Sequence, residues 1–250
     1  MSSKLLEVKG LSKAFLGIKA NDDVQLSIHA GEVHGLIGPN GAGKTTAISL
    51  LSGELRPDSG QVFMDGKDIT NLSAWRRIHM GLARSYQISR IFPDMTLLQN
   101  VQVSLQIAHG HSFRFVAPAF GSHGDKALAM LAKLGLEDRA HDLASSLAHG
   151  LRRELELAVI LARKPRMLLL DEPMAGMGKT ESIRITQLLE QLRGQVTMLL
   201  VEHDMDVVFQ LADRISVLVQ GHVVATGTPE DIAKNPQVRS AYLGGEDHDG

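Results

Sequence analysis

The sequence contains no cysteine. That absence excludes disulfides, thiolate nucleophiles and Cys-ligated zinc, and it suits a reducing compartment without fixing one. A basic surplus is lacking as well: 26 Lys and Arg stand against 28 Asp and Glu, a formal net charge of -2. Nucleic acid held on a basic face is not expected from that balance. Apolar runs are short, Met167–Leu170 and Met198–Val201 among them, whereas a membrane-spanning helix needs about 20 mostly apolar residues. The opening "MSSKLLEVKG" has no apolar core and no small-residue cleavage site, so no signal peptide is expected. There is no repeat of solenoid period, no low-complexity segment and no Asn-Lys-x-Asp guanine-reading segment. What remains is 250 residues with 44% hydrophobic and 22% charged content, which suits one domain with elaborations.

Within that domain the first third reads as strands. "KLLEVKGLSKAFL" and "DDVQLSIHAGEVHGLIG" space their apolar residues at short, often alternating intervals. "VHGLIG" then runs through a glycine-rich turn into "KTTAISLLSG", a helix whose end is marked by Gly53. "GQVFMDGKDI" is a further strand signal with its turn at Asp65-Gly66. The character changes near Tyr86, and from Met95 to about Ala162 the period is helical, interrupted by "HGHSFRFVAPAFGSHG". Strands return in "RMLLLDEP", "QVTMLLVEH" and "RISVLVQGHVVATG", separated by helices around Thr180–Leu192 and Met205–Asp213. Strands alternating with helices predict a largely parallel sheet, with the helical block inserted between two of its parts. His109 and His111 read as loop residues, "GEDHDG" as a disordered polar tail, and the ten methionines as core filler.

Chemistry concentrates at a few places. "GPNGAGKTT", Gly38 to Thr46, matches G-x-x-x-x-G-K-[ST] in full. Its glycines let backbone N–H groups turn inward onto phosphate oxygens. Lys44 offers a charge to the β- and γ-phosphates, Thr45 a hydroxyl to Mg²⁺, and the helix that starts there its positive dipole end. "MLLLDEP" ends a strand in Asp171 and Glu172. An acid at the carboxyl end of a buried parallel strand can hold Mg²⁺, and a second acid beside it can take the proton of an attacking water. His203, in "VEHDM", closes another apolar strand. It either contacts a γ-phosphate or is a satisfied structural histidine.

Taken in order, Gly38–Thr46, Gln87, "LAHG" opening a helix, "LLLDEP" and "VEHD" resemble the ATP-binding subunits of ABC transporters, from about Leu5 to Gly244. "LLEVKGLSKAFLGIKA", "RSYQISRIFPDMTLLQNV" and "GTPEDIAKNPQVRSAYLGG" are similar to the subunits that serve branched-chain amino acid importers. The resemblance implies an α/β P-loop NTPase of ABC type: a mostly parallel sheet core, an N-terminal antiparallel β part and an inserted helical subdomain. The ATPase domain would span 4–246, with 1–86 and 165–227 as nucleotide-binding core, 87–164 as helical subdomain and 228–250 as an importer-type tail.

ATP and Mg²⁺ are the implied cofactors, and ATP hydrolysis coupled to import of a small solute the implied activity. Phe15 would stack on adenine; Gly38, Pro39, Asn40, Gly41, Ala42, Gly43, Lys44, Thr45 and Thr46 would hold the phosphates; Thr45, Gln87 and Asp171 would serve the metal. Glu172, His203, Lys44 and Gln87 would carry catalysis. Ala148, His149 and Gly150 would face the nucleotide of a second ATPase chain, identical or not. Membrane permease subunits, and indirectly a solute-binding protein, would be the other partners, with no nucleic acid. The chain would sit on the cytoplasmic face of the inner membrane.

Two departures from the family pattern stand out. Leu147, Ala148, His149, Gly150 and Leu151 occupy the place of Leu-Ser-Gly-Gly-Gln, so a hydroxyl and an amide are missing. A neutral hydrogen bond is worth about 0.5–1.5 kcal/mol, enough to weaken dimer closure. Gly178 stands where relatives carry Asp or Asn. These departures motivate one alternative, a nucleotide-gated partner with little hydrolysis; the ATPase of an exporter is the runner-up transport reading.

Overall fold

Alternating apolar residues at the N-terminus produce a hairpin. β1 (Lys4–Phe15) and β2 (Ile18–His29) pair antiparallel around Leu16 and Gly17, both at positive φ. β4 (Ser59–Met64) adds to the other side of β1, and the short β5 (Lys67–Asp68) follows it across the Asp65–Gly66 turn. These four strands make one sheet, ordered β2-β1-β4-β5 and antiparallel throughout. This computed structural model describes residues 3–85, 91–108 and 123–243.

The second sheet is ordered β10-β9-β3-β8-β7-β6. β3 (Val33–Ile37), β6 (Leu82–Arg84), β7 (Met167–Asp171), β8 (Thr197–Val201) and β9 (Arg214–Val219) are parallel, and β10 (His222–Gly227) closes one edge antiparallel to β9. β7 and β8 are buried at every residue. Strands covered on both faces need apolar side chains at every position, hence continuous runs rather than alternation.

α1 (Lys44–Ser52) follows β3 and ends at Gly53 in the left-handed conformation, as its sequence predicts. α2 (Ala74–His79) precedes β6 and was not expected from periodicity; at six residues it is too short to show one. Between β6 and β7 lie α3 (Leu97–Ala108), α4 (Gly124–Lys133) and α5 (His149–Leu161), the anticipated helical block. Leu97, Val101, Leu131 and Leu155 share one apolar cluster there with Leu168 and Leu170 of β7, so the block is packed onto the sheet. α6 (Lys179–Leu192) links β7 to β8, and α7 (Met205–Leu211) links β8 to β9. α8 (Pro229–Lys234) and α9 (Pro236–Leu243) bring Ile232 and Val238 against Ile215 and Val217 of β9. A second cluster, with Leu6, Ile28, Ile48 and Leu199, fills the space between the two sheets around α1.

The mixed α/β architecture is the one the sequence led us to expect. One refinement bears on the site: β8 lies between β3 and β7. The carboxyl ends of these three parallel neighbours therefore open onto one crevice, the usual ligand position in such sheets.

Candidate active site

The loop 38–43 leaves β3 and enters α1 while pressed between neighbouring backbones. A Cβ on Gly38 would lie 2.0 Å from the Leu218 carbonyl oxygen, and one on Gly43, at φ 101°, would lie 2.1 Å from that of Ala20. Only glycine fits either position. Gly38 and Ala42 are buried, Pro39, Gly43 and Thr46 are half-buried, and Asn40, Gly41 and Thr45 are exposed. The Lys44 side chain turns back over the loop, its Nζ donating to the carbonyls of Gly38 at 2.7 Å and Pro39 at 3.0 Å. Burial lowers the Lys44 pKa, and the nearby Glu172 and Asp171 carboxylates oppose that shift.

At the end of β7, Asp171 is 2% exposed. Its Oδ2 accepts a hydrogen bond from Arg84 Nη2 at 3.0 Å, whereas Oδ1 is buried without a hydrogen-bond partner among the described residues. Burial pushes the Asp171 carboxyl up, against the pull of Arg84. Glu172 follows at φ 49°, a left-handed conformation that side chains of its kind seldom adopt, and its N–H donates to the Val201 carbonyl at 2.9 Å. Asp171 and Val201 are partners in the β7–β8 ladder. His203, two residues beyond Val201, is thus brought beside Glu172, with Nε2 and Oε1 2.6 Å apart. The His203 ring is half-exposed and bonded to the acid of the neighbouring strand.

Glu202 lies beneath that pair. Buried to 6% exposure, it accepts the Met174 N–H at Oε1, 2.9 Å, and the His203 N–H at Oε2, 3.1 Å. Burial raises its pKa, and these two N–H groups partly offset the shift. One carboxylate therefore ties the loop after Glu172 to the backbone of His203.

Ala148 is the N-cap of α5 and has no side chain to bond the helix's first N–H groups. His149 and Gly150 form the first turn, and Leu151 packs against the main apolar cluster. Gly150 was expected to be glycine so that a nucleotide could approach. The structure adds an internal reason, since a Cβ there would lie 2.5 Å from Glu181 Oε1. Glu181 also accepts the Gly178 N–H at 3.1 Å, so one side chain lies against both Gly150 and Gly178. Phe15, at the end of β1, is 44% exposed rather than part of the core, and Lys13 Nζ lies 5.8 Å from its ring centre. Gln87 lies outside the described residues, as do His109, His111 and "GEDHDG". The strand leading toward Gln87 is placed by Ser85, whose N–H donates to Leu169 of β7 at 2.9 Å.

Three site residues escaped sequence reasoning: Arg84, Glu202 and Glu181. None belongs to a spacing pattern that announces chemistry: Arg84 and Glu202 are marked by a hydrogen-bond partner distant in the chain, and Glu181 by its close approach to Gly150 of another helix. A hard cation fits the residues present, because a buried carboxylate oxygen without a partner among the described residues and a threonine hydroxyl are oxygen donors. Among the described residues no group of three or more His, Asp or Glu could hold a metal. Mg²⁺ is commonly held by one or two protein ligands together with substrate phosphates.

Comparison with known proteins bears on these features. Residues 21–175 match the family described as "ABC transporter", and residues 222–248 match "Branched-chain amino acid ATP-binding cassette transporter". The high-affinity branched-chain amino acid transport ATP-binding protein LivG of Escherichia coli K12 is 39% identical over 98% of this chain and 99% of its own length. BraF of Pseudomonas aeruginosa, a protein of the same description, is 38% identical over the same shares. The crystal structure of the ADP conformation of MJ1267, an ATP-binding cassette of an ABC transporter, superimposes with a TM-score of 0.84 at 27% identity. That match covers 97% of this chain and 100% of that one.

Proposed function

The chain belongs to the ATP-binding subunits of ABC transporters, and on that premise we propose that it hydrolyses MgATP to drive import of branched-chain amino acids. One observation carries the catalytic reading: Lys44, Asp171, Glu172 and His203 converge at the carboxyl ends of β3, β7 and β8, with Glu172 and His203 2.6 Å apart. The C-terminal match and the likeness to LivG and BraF along nearly the whole chain support the choice of cargo.

In this reading the N–H groups of loop 38–43 and the Lys44 ammonium bind the β- and γ-phosphates, with Thr46 in the first turn of α1. Phe15 offers an exposed ring to adenine. Thr45, Asp171 and Gln87 hold Mg²⁺, which when bound offsets charge on the phosphate oxygens. Glu172 takes the proton of the attacking water. His203, oriented by Glu172 and by Glu202 beneath it, donates to the γ-phosphate and stabilises the charge that develops there. Ala148, His149 and Gly150 present the N-terminus of α5 to ATP held by a second ATPase chain, so closure of the pair couples the site to a permease docked near Gln87 and the helical block.

The domain limits follow the same reading: an ATPase domain over 4–246, with 87–164 as the permease-facing part. No helix among the described residues is long and apolar enough to cross a membrane, and we place the chain on the cytoplasmic face of the inner membrane through its permease. ATP turnover by the complex in vesicles, with leucine-loaded binding protein outside, tests this. Glu172→Gln is expected to lower turnover at least about a hundredfold while ATP still binds. Unchanged turnover rejects Glu172 as the base, and turnover indifferent to leucine rejects the cargo.

A further inference from the structure

Arg84 ends β6, one strand over from Asp171. Its side chain is 10% exposed and spans three elements. Nη2 donates to Asp171 Oδ2 at 3.0 Å, while Nη1 donates to Glu54 Oε2 at 2.7 Å and to Ser49 Oγ, in α1, at 3.1 Å. A guanidinium is planar and its donors are fixed relative to one another. With Nη1 held at the end of the phosphate-binding helix, the plane cannot swing, and Nη2 pins one oxygen of Asp171 in place. The other oxygen, Oδ1, is left buried with no hydrogen-bond partner among the described residues.

We propose that Arg84 is a positioning residue for the metal-binding acid: it clamps Asp171 Oδ2 so that Oδ1 alone is offered to the cation. This rests on the assignment of Asp171 to Mg²⁺ given above. Arg84 touches neither nucleotide nor metal in this role and acts through Asp171. Without it the carboxylate would be free to rotate about its side-chain torsions, and the cation would meet an unprepared ligand. The competing role is purely mechanical, a brace between β6 and α1 through Glu54.

Binding of Mn²⁺ to the full chain in the presence of ADP, followed by electron paramagnetic resonance, separates the two. Fluorescent ADP binding in EDTA reports the phosphate loop independently. Arg84→Met is expected to raise the half-saturating Mn²⁺ concentration about 10–100-fold, the usual scale for groups that orient metal ligands, with metal-free ADP affinity within about twofold. Arg84→Lys is expected to recover part of the loss, Glu54→Gln to show little, and Arg84→Met placed on Asp171→Asn to add nothing further. Unchanged Mn²⁺ affinity in Arg84→Met, an equal loss in Glu54→Gln, or additive losses with Asp171→Asn would each overturn the proposal. If Arg84→Met does not fold, Arg84→Lys with and without Asp171→Asn decides by the same additivity. Wild-type Mn²⁺ affinity in Asp171→Asn alone would instead remove the assignment of Asp171 itself, and the proposal with it.

Discussion

Glu172 occupies a backbone conformation that glycine tolerates far better, with φ 49° at the end of a buried strand. Such strain persists where surrounding bonds over-determine it. Here the Val201 carbonyl, His203 Nε2 and the Glu202-anchored loop all fix the residue. Glu32 shows the same economy away from the site. Burial raises its pKa, but hydrogen bonds from His34 and from the His29 backbone and ring outweigh that and bring it down to about 2 from 4.5. A depressed carboxyl stabilises the fold fully above the unfolded value near 4.5 and loses that contribution as pH falls toward about 2. Urea unfolding between pH 5.5 and 2.5 is therefore expected to show a stability loss that is shallower in Glu32→Gln. Parallel curves would rule out this source of acid sensitivity.

Among the elements, α5 has the clearest defect. Its N-cap is Ala148, which bonds none of the four N–H groups that a helix start leaves without partners. Ala148→Ser is expected to stabilise the protein by about 0.5–2 kcal/mol through capping alone, read as a higher melting temperature without nucleotide. The same hydroxyl should strengthen ATP-dependent association with the second chain. A thermal gain without tighter association would confine Ala148 to a helix-capping role. The neighbouring Leu151 needs no such repair, because its side chain contributes to the apolar cluster that seats the helix.

At the scale of the molecule, the site is assembled from three parallel strands, and whatever binds there links them. ATP that binds only the folded chain stabilises it by about 2.7 kcal/mol at one hundred times its dissociation constant. Thermal melts with MgATP are expected to rise accordingly in the wild type and hardly at all in Lys44→Ala. An equal rise in that variant would mean that the nucleotide binds elsewhere.

Much of this protein was legible along the chain, and the reason is locality. The phosphate-binding segment is nine consecutive residues, a loop after β3 and the first turn of α1, so Gly38–Thr46 carry their geometry with them. Asp171 and Glu172 follow a run of four apolar residues whose only stable setting is a covered strand. The turns at Gly53 and Asp65–Gly66 declared themselves because left-handed backbone favours those residues. Other features depended on which strands became neighbours. Arg84 meets Asp171 across 87 residues of sequence and Glu172 meets His203 across 31. Glu202 became an anchor only because β8 settled between β3 and β7. The space beside Gly150 is filled by Glu181 from another helix. Local backbone preference and apolar patterning act over a few residues, so the sequence by itself determined the elements and the chemistry each could offer. Partners for buried charges are supplied by packing between distant segments, and those only the tertiary structure decided.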